Sequence, residues 1–232
     1  TILSGVAAWF IFNEDDGGEN SEVGSFKSGL TEIISVLRMP VVWLISIVVL
    51  AAYSAYWGAY RFTSYSTDIF SLSVVMAGAI SIGKMAMSPP SALIAGYVSD
   101  NIGIAKSVCI LFVILIFSFL IFAFMPGLPS LLPFMITNIA IASLAIFALR
   151  GIYFALLEEG GIPMRVTGTA TGFISMIGFT PDIFMPLVGG VLLDRLPTVE
   201  GYRSFFIVVT AICGLGLVAS LSIYRIVTKN KT

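Results

Sequence analysis

The chain has 232 residues, 58% of them hydrophobic and 11% charged, and a formal net charge of −1. A mean hydropathy of +1.02 excludes an ordinary soluble domain, and the near-neutral charge argues against a nucleic-acid partner. Histidine is absent, which removes histidine proton relays and histidine-based metal or catalytic sites.

Apolar runs of about 20 residues recur along the chain, each long enough to cross a bilayer as a helix. The expected fold is an all-α integral membrane protein with a bundle of six transmembrane helices. Residues 1–12 read as the end of a preceding transmembrane helix, with no basic n-region or cleavage site to make them a signal peptide. The chain is therefore expected to begin inside a larger polypeptide. Residues 13–40 read as a linker. Its first part carries Glu14, Asp15, Asp16, Glu19 and Glu22, a composition that does not bury a core. Phe26, Leu30, Ile33, Ile34 and Leu37 then form one apolar stripe, so residues 26–38 suit an amphipathic helix, either on the headgroups or packed on the bundle's own end.

Six spanning segments are expected over 41–226, at 41–62, 70–95, 107–126, 131–157, 167–193 and 204–226, with a tail at 227–232. Turn signals separate them, at Thr63 to Asp68, Asp100 to Gly103, Pro126 to Pro129, Gly160 to Pro163 and Asp194 to Gly201. Seven cations (Lys27, Arg38, Lys106, Arg165, Arg225, Lys229 and Lys231) fall on the linker side, and three (Arg61, Arg195 and Arg203) on the other. The positive-inside rule therefore makes the linker and carboxyl terminus cytoplasmic. The third and sixth segments are apolar nearly all round and suit lipid-facing supports. The other four carry polar groups at depth, which need partners or a wet cavity. Cys109 and Cys213 lie in the apolar third and sixth segments, where they read as small packed hydrophobes rather than a disulfide or zinc frame.

In the first segment Tyr53, Tyr56, Trp57 and Tyr60 share one helical stripe. Such groups suit a substrate pocket, and the outermost, Tyr60, suits an interfacial aromatic belt as well. Lys84 falls near the middle of the second segment with Ala77, Ser81, Ser88 and Ser91 on its face. Small and hydroxylated neighbours argue for a cavity wall or a structural ion pair inside the bundle. Pro89-Pro90 should kink the helix beside it. Arg150 lies toward the cytoplasmic end of the fourth segment, as a planar fork for carboxylate or phosphate or as a gate residue paired with Glu158 or Glu159. The fifth segment, Gly168 to Gly190, holds five glycines, Pro181, Pro186 and one carboxylate, Asp182. An intramembrane charge of this kind is functional by default, and Lys84 is its expected partner across a cavity. No nucleophile–base pair, metal cage or phosphate-cradling loop is legible, so neither an enzyme nor a cofactor is expected.

The stretch Gly96-Tyr-Val-Ser-Asp100-Asn-Ile-Gly103-Ile-Ala-Lys106 resembles the signature loop of the major facilitator superfamily, Gly-x-x-x-Asp-Arg-x-Gly followed by basic residues. Gly96, Asp100, Gly103 and Lys106 match it; Asn101 replaces the arginine and Ile104 one basic residue. With six spans, a preceding linker and a truncated helix, the whole chain looks like the carboxyl-terminal half of a twelve-helix transporter. Gly168-Thr-Ala-Thr-Gly-Phe, Gly178-Phe179, Pro163, Gly190 and Asp194 resemble the organophosphate:phosphate antiporter branch. At the position matching that branch's intramembrane arginine this chain has Tyr56, which leaves a sugar acid or another organic anion open beside a phosphate ester.

The resemblance implies secondary active transport by alternating access of a small polar, anionic solute, with a co- or counter-transported ion and an amino-terminal six-helix half as partners. It implies a cell-membrane location and a gating role for Asp100 and Lys106. A non-transporting solute sensor on the same fold is the alternative.

Overall fold

The computed structural model describes residues 31–231, which are helices and short connections with no strand among them. The chain is an all-helical integral membrane protein. Among the described residues five stretches are long and apolar enough to span a membrane: Pro40–Phe70, Ile104–Phe124, Pro129–Glu159, Met164–Arg195 and Thr198–Lys229. Residues 1–30, with the expected helix end and acidic linker, lie outside the described residues. Of the amphipathic segment, residues 31–37 are helical.

Helix α1 (Pro40–Tyr60) starts on proline at its first position, after an extended Met39, as the missing N–H and fixed φ of proline favour. It continues almost directly into α2 (Phe62–Phe70). The turn expected at Thr63 to Asp68 is thus helical instead. Its polar residues bond back along the chain, Ser64 to the Arg61 carbonyl and Thr67 to the Ser64 carbonyl. Phe62, Tyr65 and Phe70 are buried on one side, so tertiary packing overrides local turn propensity. The helix ends at Ser71, which adopts a left-handed conformation with φ 54°.

The second expected segment is not a continuous span. It consists of α3 (Val74–Ala86) and α4 (Ser88–Ile102), joined at Met87. Ser73 caps α3 by accepting from the Met76 N–H at 3.3 Å. The kink expected from Pro89 and Pro90 appears just before them. Proline is tolerated in the first turn of a helix but not beyond it, so a new helix begins. The loop expected at Asp100 is also mostly helix. Only Gly103, at φ 91°, interrupts α4 before α5 (Ile104–Phe124), a conformation that a residue with a Cβ adopts only under strain.

Helix α6 (Leu132–Ile152) passes through a 3₁₀ turn, Tyr153–Ala155, into the short α7 (Leu156–Glu159). The fifth segment is divided into α8 (Thr167–Gly178) and α9 (Pro181–Arg195), with Pro181 opening the second piece and Pro186 carried inside it. The last helix, α10 (Thr198–Lys231), is longer than expected at both ends.

Helix α1 is the hub, packing against α10, α8, α6 and α9. Its small buried residues, Ala51, Ala52, Ser54, Ala55, Gly58 and Ala59, allow this close approach. The most extensive pairing joins α5 and α10. The expected supports are thus half in the core: Phe112, Phe119 and Phe206 are fully buried, while Phe117 (62% exposed) and Leu215 (62%) face outward. A ring cluster of Phe62, Tyr65, Phe122 and Phe206 ties α2, α5 and α10 at one end. Asn138 on α6 donates to the Ser118 carbonyl on α5 at 3.0 Å, so its buried amide is satisfied inside the bundle.

Candidate functional site

The aromatic stripe of α1 organises the site. Tyr53 stacks on Tyr56 with ring centroids 5.7 Å apart, and Trp57 stacks on Tyr60 at 5.2 Å. Phe147 of α6 closes on Tyr56 at 6.3 Å, and Phe179 on Tyr53 at 4.9 Å. Spacings of three and four residues set all four α1 rings on one side of the helix. The opposite side carries small residues and is buried.

Asp182 lies in the first turn of α9, where the helix dipole favours a carboxylate. Its Oδ1 accepts from the Trp57 indole N–H at 2.9 Å, and its Oδ2 from the Tyr53 hydroxyl at 3.3 Å. Both donors are neutral, and two hydrogen bonds leave the carboxylate oxygens with lone pairs to spare.

Arg150, in the last turn of α6, lays its guanidinium over the Tyr56 ring at 4.3 Å from the centroid and over the Tyr53 ring at 5.8 Å. Both distances suit a cation–π contact. Neither Glu158 nor Glu159 pairs with it. Glu159 instead accepts from the Ala105 N–H at 2.6 Å, holding the start of α5. Among the described residues Arg150 has no carboxylate partner, and its side chain is exposed.

Lys84 and Asp182 do not form the expected pair. Lys84 is buried, 8% exposed, and donates to the Ala59 carbonyl at 2.9 Å with its ammonium 5.5 Å from the Tyr60 ring centroid. The physical reason lies in α1. Its last turn offers Lys84 a carbonyl and the negative end of a helix dipole, while Tyr53 and Trp57 of the same helix take Asp182. The two charges are each satisfied on α1 rather than by each other.

The sequence therefore brings Tyr53, Tyr56, Trp57, Asp182 and Arg150 together, and sets Lys84 beside them, at the Tyr60 end of the stripe. Arg61 lies elsewhere, against Gly189 and 5.9 Å from the Phe205 ring centroid. Phe147 and Phe179 are not legible as site residues from the sequence, since single phenylalanines in apolar segments carry no signal of their own. The sequence offers Glu159 only as a partner for Arg150. The signal for its actual role is a carboxylate beside a glycine turn, Glu159-Gly160-Gly161, at the end of a helix.

The matched motif residues Gly96, Asp100, Gly103 and Lys106 run along the junction of α4 and α5. Asp100 and Lys106 are exposed, and Gly96 has open space where a Cβ would stand. Asp100, Lys106 and Glu159 border a cavity of about 410 Å³ that reaches Tyr224 and Thr228 of α10.

Two proteins of Escherichia coli (strain K12) are similar to this chain. Inner membrane protein YqcE is 28% identical over 231 residues, covering 97% of this chain and 54% of YqcE. Inner membrane protein YihN is 27% identical over 239 residues, covering 99% of this chain and 56% of YihN. The chain thus spans about half the length of these relatives. No protein-family model matches it, and no solved structure matches it. Similarity to two inner membrane proteins agrees with the helices: this is a membrane-embedded chain.

Proposed function

We propose that the chain is one half of a secondary active transporter that moves a small polar, anionic organic solute by alternating access. The single observation that carries this is Arg150. It is an exposed guanidinium inside a membrane bundle, laid on tyrosine faces and with no carboxylate partner among the described residues. A charge held this way is costly unless something uses it, and a guanidinium fork is built for an anionic group.

Three further features support the proposal. The chain covers about half of its inner-membrane relatives, as a half-transporter of the major facilitator type would. The second and fifth segments are broken near mid-length, at Met87 and at Phe179–Thr180, and discontinuous helices commonly line transport sites. The motif resembling the superfamily's signature falls at the α4–α5 junction, where it would act as a gate. The linker side would then be cytoplasmic and the location a cell membrane.

The test is uptake of radiolabelled organic anions by proteoliposomes holding the full-length protein. Wild-type protein is expected to carry at least one such anion, and Arg150→Ala to cut its flux ten-fold or more. Binding of an anion with no flux in either direction would favour a solute sensor instead.

A further inference from the structure

Taking this site as the solute site of the transporter proposed above, we infer that its ligand is a polyhydroxylated monocarboxylate, read at one end by Arg150 and at the other by Asp182. The inference starts from charge. One accessible cation and one accessible anion share the site, and Lys84 adds nothing to it, being turned to the Ala59 carbonyl at 2.9 Å. A phosphate monoester dianion would meet a single guanidinium with a fixed carboxylate close by, a poor arrangement for two negative charges. A monocarboxylate matches one planar fork, whose face Tyr56 covers at 4.3 Å.

Asp182 then needs donors. Tyr53 and Trp57 supply one hydrogen bond to each oxygen, and an ionised carboxylate accepts about four. Ligand hydroxyls are suited to the remaining lone pairs. A site built to bond hydroxyls discriminates strongly against analogues that lack them.

One ring links the two charged groups. Tyr53 touches both charged groups, its hydroxyl 3.3 Å from Asp182 and its ring centroid 5.8 Å from Arg150. Arg150 and Asp182 themselves are beyond ion-pair reach. A chain of hydroxylated carbons ending in a carboxylate offers that carboxylate to Arg150 at one end and hydroxyl donors to Asp182 along its length. The stacked Tyr53–Tyr56 and Trp57–Tyr60 pairs line the way, with apolar ring faces for the C–H side of such a chain.

The experiment is isothermal titration of the purified full-length protein with four probes: D-gluconate, hexanoate, D-glucose and D-glucose 6-phosphate. Gluconate is expected to bind at least ten-fold tighter than each of the others. Asp182→Asn should weaken gluconate about ten-fold, the scale of a charge-assisted hydrogen bond, and leave hexanoate within two-fold. A merely structural loss would weaken both alike. Arg150→Gln should weaken both, because both carry the carboxylate.

The inference is overturned if glucose 6-phosphate or hexanoate binds as tightly as gluconate, if Asp182→Asn weakens gluconate and hexanoate equally, or if no probe binds. Its failure is separable from that of transport. Selective gluconate binding without flux supports the ligand and removes the transporter. Flux of other anions without gluconate binding does the reverse.

Discussion

Trp57 and Asp182 lie 125 positions apart in the chain and meet across 2.9 Å, indole N–H to carboxylate. The bond joins the hub helix α1 to the first turn of α9, just past the break in the fifth segment. It makes a neutral ring the anchor of the intramembrane carboxylate.

Replacing that donor gives the first prediction. Trp57→Phe keeps a ring but loses the N–H, and should lower the unfolding free energy by about 1 kcal/mol. That is below the usual range of about 1.5–3 kcal/mol for a hydrogen bond to a charge, since water also reaches Asp182. In an Asp182→Asn background the same change should cost measurably less. Thermal melts in detergent of the four proteins close the double-mutant cycle; a coupling of zero would mean that the bond contributes nothing.

A second prediction concerns Lys84. Lys84→Met keeps most of the stem volume but leaves the Ala59 carbonyl without its ammonium donor and Tyr60 without its cation. A loss of about 1–3 kcal/mol is expected. The ratio of gluconate to hexanoate affinity should stay unchanged, because neither end of the proposed ligand engages Lys84. Melting curves and titration read the two effects separately.

Glycine contacts supply a third. A Cβ at Gly216 would stand 2.6 Å from the Ala51 Cβ and 2.6 Å from Phe112 Cζ, so Gly216→Ala must push α10 away from α1 and α5. Overpacking of this kind costs about 1–3 kcal/mol. At Gly172 a Cβ meets nothing within 4 Å. Gly172→Ala in a helix interior should be neutral or stabilising by about 0.5–1 kcal/mol. Melting temperature is expected to fall for Gly216→Ala and to hold or rise for Gly172→Ala.

The α4–α5 junction gives the fourth. Gly103→Ala forces a side chain into φ 91° and brings its Cβ to 3.2 Å from Glu159 Oε1. Strain alone should cost about 1–3 kcal/mol. Glu159→Gln weakens the 2.6 Å cap on the Ala105 N–H without straining the backbone. Hydrogen exchange at residues 103–107 should accelerate in both variants, and more in Gly103→Ala.

The membrane class was legible because runs of apolar residues declare themselves by length, and the aromatic stripe because four rings recur at helical spacing, although that spacing suits an interfacial belt as well as a pocket. Asp182 and Arg150 stood out as charges in hydrocarbon. Their partners did not. Sequence suggested that opposite charges would seek each other, whereas a backbone carbonyl, two neutral donors and ring faces satisfied them first. The helix at Thr63 to Asp68 was illegible for a related reason. Its hydroxyls bond back to the chain, and burial of Phe62, Tyr65 and Phe70 decides the conformation. The helical stretch at Gly96 to Asp100 shows that a motif's spacing does not reveal where its backbone turns; that is set by Gly103 alone.

One consequence follows from the helix that holds all three charges. Asp182 answers to Tyr53 and Trp57, Arg150 to Tyr53 and Tyr56, and Lys84 to the Ala59 carbonyl and Tyr60, so a single rod keeps three neighbouring helices in phase. Adding one residue to α1 ahead of Tyr53 would turn that rod by about 100° and strand every charge at once, although no charged residue had changed. Point substitutions in this bundle are therefore local events, while a single-residue insertion in α1 should be a global one.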